Sequence, residues 1–255
     1  MNSLGLAGSA FAVIGAGQGI GRATALLLAG EGANVALVDE VEERVHAVAK
    51  EVEARGVEAV ALGADVTDAR AADDAIVRSF AALGALAGVI NIVGSASWAP
   101  LSEMDESTWQ RDFRVNLEHH WYVARSAEAR WRDADASGSV VAVASVSGVF
   151  AAPRHGAYGA AKAGLLSLVR TMAQEWWPRV RVNAVVPGAV RTPRIEGMWQ
   201  SGAIPRPAAD VVDRMAEPED IAGAAVFLSS ALARRITGQA IVVDGGTSTR
   251  FPYSS

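Results

Sequence analysis

A tyrosine and a lysine stand four residues apart in Tyr158-Gly159-Ala160-Ala161-Lys162, within an alanine-rich run. On a helix that spacing puts both side chains on one face, so a phenol and an ammonium share one pocket. A phenol near its reference pKa of about 10 is a poor base at neutral pH, and an adjacent cation lowers that value by stabilising the phenolate. Tyr158 then reads as a general acid/base with Lys162 as its electrostatic support. Alone, such a pair also describes an ordinary solvated helix face. Ser145 changes the weighing, because it lies 13 residues upstream at the end of an apolar run, where a parallel sheet presents its carboxyl edge to ligands.

A second chemistry is written near the start, in Val13-Ile14-Gly15-Ala16-Gly17-Gln18-Gly19-Ile20-Gly21. The spacing is G-x-x-x-G-x-G at Gly15, Gly19 and Gly21, with Gly17 read as incidental. Between a strand at 10–14 and a helix at 19–30, these glycines allow a tight turn, a close approach to a pyrophosphate and close helix–strand packing. The helix N-terminus adds free N–H groups and a positive dipole end. The next apolar run ends at Asp39, 18 residues after Gly21, where an acid accepts hydrogen bonds from the adenosine ribose and repels a 2′-phosphate. No arginine or lysine occupies position 18 or the positions beside Asp39, although Arg22 and Arg44 are near. The reading is therefore NAD.

Short β-branched runs of near-continuous apolar character recur at 10–14, 34–39, 57–62, 86–93, 139–145, 180–186 and 239–245. Helical spacing fills 19–30, 41–55, 68–83, 105–132 and 157–177 between them. Repeated βα units imply an α/β fold, a doubly wound, seven-stranded parallel sheet with helices on both faces, the Rossmann arrangement. One domain is expected over 1–255, with an irregular stretch at 187–217 whose prolines and glycines break regular structure and whose core, 190–214, is a candidate lid.

With 51% hydrophobic and 20% charged residues the chain is globular, and a net charge of −5 gives no reason to expect a nucleic-acid partner. The absence of cysteine excludes disulfides, thiolate metal sites and cysteine nucleophiles, and no metal site is expected. The first apolar run follows no positive residue and flows into the glycines, so it reads as a strand and not a signal peptide. No apolar window reaches the length of a membrane span. A cytoplasmic enzyme is the expectation.

In order and spacing the chain resembles the short-chain dehydrogenase/reductase family along essentially its whole length. The resemblance rests on the glycine turn, Asp65-Val66 before a helix, Asn91-Ile92-Val93-Gly94, Val115-Asn116-Leu117, Ser145, Tyr158-x-x-x-Lys162, Arg181-Val182-Asn183 and Pro187-Gly188. It implies that Tyr158 exchanges the alcohol proton, that Lys162 binds the nicotinamide ribose and lowers the tyrosine pKa, and that Ser145 holds the substrate oxygen. Asn116 would hold a water linking Lys162 to solvent. By the same resemblance Gly15, Gln18, Gly19, Ile20, Gly21, Asp39, Asp65, Val66, Asn91, Gly94, Pro187, Gly188, Val190 and Thr192 contact the cofactor, together with Tyr158 and Lys162. A homotetramer, or a homodimer, is implied as well.

Departures from the pattern are Ile14 for a threonine, Ile92 for an asparagine, Val93 for an alanine and His119 for a common glycine. Losing a buried polar pair together is nearly neutral, which predicts an apolar Ile14–Ile92 contact. Val93 is expected to crowd the cofactor cleft, and His119 to serve packing or a subunit interface. The variable walls, Ser95 to Trp98, Ser147 to His155 and the lid with Ile195, Met198 and Trp199, point to a hydrophobic secondary alcohol or ketone, cyclic or steroid-like. The lid arginines Arg191, Arg194 and Arg206 keep open a 3-oxoacyl-thioester reductase. A catalytically silent NAD-binding sensor or scaffold is the reading from another class.

Overall fold

The computed structural model describes residues 4–249 except Pro205 and Pro207, so those two positions of the expected lid lie outside the described residues. Seven strands form one parallel sheet in the order β3-β2-β1-β4-β5-β6-β7. They are β1 (Ala10–Ile14), β2 (Asn34–Asp39), β3 (Ala59–Gly63), β4 (Leu86–Asn91), β5 (Gly138–Val143), β6 (Val180–Pro187) and β7 (Ala240–Val243). The order reverses between β1 and β4, the switch point outside which such sheets bind ligands.

The helices are α1 (Gly19–Gly30), α2 (Glu42–Glu53), α3 (Ala69–Leu83), α4 (Glu106–Phe113), α5 (His119–Asp133), α6 (Gly156–Glu175), α7 (Pro193–Gln200), α8 (Ala209–Val212) and α9 (Pro218–Ser229). Central strands buried on both faces explain their near-continuous apolar runs. One core packs α3, α5 and α6 through Ile76, Val123, Trp131, Leu165 and Val169. The other packs α1, α2 and α9 through Leu28, Val45, Val48, Ile221 and Leu228. Helix ends are set locally: Asp68 accepts from the Arg70 and Ala71 amides at the start of α3, and a Glu217–Asp220 capping box with Pro218 starts α9.

Three expectations change. The span 105–132 is not one helix: α4 and α5 are separated by a π-helical turn, Arg114–Glu118, that carries Asn116. The stretch 187–217 contains two helices, because Pro193 falls in the first turn of α7, where its missing N–H costs nothing and Thr192 caps it. The Ile14–Ile92 side-chain contact is not formed. Ile14 is paired in register with Asn91, and its side chain joins the core on one face, whereas Ile92 packs against the core on the other. Only main chain links them, through the Ile92 amide and the Ile14 carbonyl at 2.8 Å. Successive strand residues face opposite ways, so the position one beyond the partner cannot meet it.

Arg181-Val182-Asn183 is structural. The Arg181 guanidinium donates to the Leu228 carbonyl at 2.7 Å and to those of Ile236, Ser229 and Ser230, taking up carbonyls left free where α9 ends. The Asn183 amide holds the Ile236 carbonyl and the Gln239 amide. On the other face of the same sheet edge Trp131 is fully buried, donates to the Leu86 carbonyl at 2.6 Å and fills the space beside Gly138, where a Cβ would sit 2.2 Å from the indole. We expect Trp131→Ala to destabilise by about 3–5 kcal/mol, and Trp131→Phe, which keeps the packing but orphans the carbonyl, by about 1–3 kcal/mol. Urea unfolding at constant m-value measures both.

Candidate active site

The carboxyl ends of β1, β2 and β4 open onto a cleft of about 820 Å³. Gly15, Gln18, Gly19, Ile20, Asp39, Asp65, Val66, Gly94 and Thr192 line it, with Val93, Ser95, Arg111, Arg114 and Arg194. Gly21 does not line it. Its role is packing, since a Cβ there would lie 1.8 Å from the Gly15 carbonyl oxygen. Gly15 itself has φ +84° and holds Val93 so close that a Cβ would come 3.1 Å from that side chain. The valine that departs from the family pattern thus lines the cleft next to the glycine turn. Helix α1 starts at Gly19 with no side-chain cap, which leaves its first amides facing the cleft. A Cβ-free cradle, uncapped amides and an acid at the tip of β2 fit the diphosphate and ribose of a dinucleotide.

Gly17 is not incidental. Its amide donates to one Asp39 carboxylate oxygen at 2.9 Å, the Val41 amide donates to the other at 3.1 Å, and a Cβ on Gly17 would strike Asp39 and Arg44 at 2.8 Å. Arg22, the other nearby cation, is turned away to Glu51. Asp65 accepts from the Thr67 amide and hydroxyl, and Val66 is buried in the core. Pro187, Gly188 and Val190 do not reach the cleft wall. Gly188 packs on Asp244, where a Cβ would come within 2.8 Å, and Val190 bridges to Ala216.

The catalytic candidates gather beyond the Ser95 end. Lys162 is 2% exposed and donates from Nζ to the Val143 carbonyl at 2.8 Å; burial pushes its ammonium down to about 7. Its Nζ lies 5.8 Å from the centre of the Tyr158 ring. Burial holds the phenol above its ordinary value; Ser145 works against that, Asp112 adds to it and Arg194 opposes it. In this state the lysine is committed to main chain, and the phenol is raised where the sequence led us to expect it lowered. Ser145 lies two residues past β5 and accepts from the Ser147 amide at 3.2 Å.

Asn116 clamps main chain. Its Oδ1 accepts from the Ser95 amide at 3.0 Å, and its Nδ2 donates to the carbonyls of Ser95 at 2.8 Å and Asp112 at 2.9 Å. Gly94 is the space between the two: a Cβ would lie 3.0 Å from both Asn116 Oδ1 and Lys162 Nζ.

Sequence reasoning missed two groups, Asp112 and His120. Asp112 is fully buried one turn before Asn116, accepts from the Ser97 hydroxyl at 2.7 Å and bears electrostatically on Tyr158 and His155. His120 is buried with Nδ1 3.3 Å from the Asn91 amide nitrogen, and burial, then the Lys162 charge, push its imidazole down to about 3. His119 is buried inside the chain, which agrees with the packing use of the two expected for it, and burial, then the charges of Lys162 and His120, keep it well below the ordinary value. His155 stacks edge-on between Trp98, 4.2 Å away, and Tyr158, 5.8 Å away. The Ala99 amide donates to the Arg154 carbonyl, Ala99 bridges to His155, and Arg154 takes a left-handed φ of +67°. Both variable walls thus meet at the tyrosine.

A switch-point cleft built on glycines, with a buried lysine, a tyrosine and a serine beside it, defines a dinucleotide-dependent oxidoreductase. Residues 15–248 match a family model described as enoyl-(acyl carrier protein) reductase. A 2,5-dichloro-2,5-cyclohexadiene-1,4-diol dehydrogenase of Sphingobium indicum is 34% identical over 246 residues, covering 94% of this chain and 97% of that one. A cis-4-hydroxycyclohexanecarboxylate dehydrogenase of Sinomonas cyclohexanicum is 36% identical over 246 residues, covering 94% and 98%. The solved structure of a 7α-hydroxysteroid dehydrogenase, complexed with NADH and 7-oxo glycochenodeoxycholic acid, superposes with a TM-score of 0.88 at 25% identity, covering 96% of each chain. The chain belongs to the short-chain dehydrogenase/reductase family. It is an NAD(P)(H)-dependent oxidoreductase of CH–OH groups that interconverts a secondary alcohol and a ketone.

Burial of Lys162 has a measurable cost. Its folded pKa of about 7 lies below the unfolded 10.5, so the unfolded chain binds the proton more tightly. That penalty is full below pH 7 and vanishes as pH approaches 10.5. We expect Lys162→Met to melt at a higher temperature than wild type at pH 6–7, the gain fading towards pH 10, while activity is lost; calorimetry across pH checks the trend.

Proposed function

We propose that this protein is an NAD-dependent dehydrogenase of a hydrophobic, cyclic secondary alcohol. The observation that carries the cofactor choice is Asp39: two main-chain amides fix its carboxylate on the cleft wall, where a 2′-phosphate would meet a negative charge held in place. The nicotinamide, when bound, accepts the hydride from the carbinol carbon. Tyr158 takes the hydroxyl proton, Ser145 holds the same oxygen, and the Lys162 charge favours the phenolate. Asn116 fixes the loop that these groups face.

Support for the substrate class comes from the walls: His155 stands between Trp98 and Tyr158, and Val149 and Phe150 are exposed beside it. The diol, cyclohexanecarboxylate and steroid dehydrogenases similar to this chain are named for ring alcohols. We further propose a cytoplasmic homotetramer. Among the described residues no helix is long and apolar enough to cross a membrane, and Trp109 on α4, Trp121 on α5 and Val242 on β7 are exposed apolar groups that subunits would cover.

Following the reduced nicotinamide absorbance with a panel of cyclic and acyclic secondary alcohols tests the reading. Turnover with NAD on cyclic alcohols is expected, and a preference for NADP would overturn the Asp39 argument. Tyr158→Phe should lower kcat by about 10²–10⁴-fold. Because the phenol is raised, alcohol oxidation should climb with pH above neutrality and ketone reduction should not. Light scattering should give four times the 26.5 kDa chain mass; a monomer would refute the tetramer.

A further inference from the structure

The cleft that begins at Asp39 stops at Ser95 and Arg194, and Tyr158, Ser145 and Lys162 lie beyond that boundary. The boundary is a single side-chain bridge. Arg194, in the first turn of α7, extends across the cleft and donates to Ser95 Oγ at 2.5 Å. Ser95 cannot yield easily, since both its main-chain polar groups are held by Asn116. A ligand running from Asp39 to Tyr158 has to pass this point.

The bridge is a weak use of a guanidinium. Arginine offers five donors in a planar fork suited to a phosphate or carboxylate, and a neutral hydroxyl satisfies one of them. The neighbouring cations have other commitments: Arg191 pairs with Glu217, Arg214 donates to the Gly245 carbonyl, and Arg111 turns to Ser97 and Asp112. No carboxylate among the described residues is within ion-pair distance of Arg194. The start of α7 also lies directly over the glycine turn, where a Cβ on Gly19 would come 3.4 Å from Thr192 Cγ2 and 4.0 Å from Pro193 Cδ. The free fork is therefore carried on the segment that covers the uncapped amides of α1, the place suited to a diphosphate.

We propose that Arg194 binds the diphosphate of the dinucleotide, and that its bond to Ser95 is the closed form of the cleft that the dinucleotide displaces. On binding, the guanidinium exchanges a hydroxyl for an anionic partner, and α7 is drawn onto the ligand. The proposal rests on the cleft taking a dinucleotide and is independent of the alcohol and of the choice between NAD and NADP.

Equilibrium binding of NADH, ADP and adenosine, by calorimetry on the full chain, tests it without turnover. Arg194→Met should weaken NADH and ADP by about tenfold to a hundredfold, the scale of a lost charge-assisted hydrogen bond, and leave adenosine unchanged. Arg194→Lys should recover part of the loss. Ser95→Ala, which removes the closed form's acceptor and keeps the fork, should bind NADH as tightly as wild type or more tightly. Arg114→Met removes another exposed cleft cation and should have little effect. The proposal fails if Arg194→Met binds ADP like wild type, if adenosine weakens equally, or if only the KM of an anionic alcohol rises. It fails too if Arg114→Met weakens NADH as much, since a diffuse positive field would then suffice. Weaker NADH binding by Ser95→Ala would overturn the closed-form half.

Discussion

The catalytic end of the sheet is organised around keeping one ammonium out of water. Lys162 is 2% exposed, and its one hydrogen bond goes to a strand carbonyl. Several neighbours are shaped to the residue that carries that ammonium. Gly94 lacks the Cβ that would press on Nζ, and Gly148 lacks one that would strike the Lys162 main chain at 2.7 Å. Two adjacent histidines stay neutral, through burial first and through the lysine charge second. A buried charge without a carboxylate partner is costly. Natural chains retain such a group where function requires it, and the lysine here stands next to the one phenol placed to exchange a proton.

The other end of the cleft obeys a steric constraint. Gly21 touches the Gly15 carbonyl with no room for a methyl group, so α1 is seated on the turn and its first amides face the ligand. Gly17 then orients Asp39. Turn, helix and acid form one rigid unit, joined to the catalytic end through the loop from Asn91 to Ser95 and the Asn116 clamp on it.

All seven strands were legible in the sequence: the central ones are buried on both faces and leave near-continuous apolar runs, and the partly exposed edge strands β3 and β7 are apolar in type as well. The reactive set was legible because helical spacing and strand ends are local properties. What escaped depends on partners far away in sequence. Asn116 was named from the sequence, but its clamp on a loop 21 positions back, made from a π-helical turn, is something helical periodicity cannot show. Asp112 and His120 are buried polar groups whose partners, Ser97 and Asn91, are chosen by packing. Ile14 and Ile92 were matched as two departures from a pattern, but strand parity sends them to opposite cores. Gly17 failed to register because its task is to leave space for a side chain of another strand.

The bridge between Ala99 and the Arg154–His155 segment is made by main-chain groups, so it does not depend on which side chains those loops carry. Loops tied in this way are open to evolutionary drift. Residues 96, 98 and 150–152 can be exchanged over generations while the backbone frame that brings them to Tyr158 persists. One scaffold can therefore be retuned to new alcohols by point substitution, with no need to rebuild the reactive centre each time.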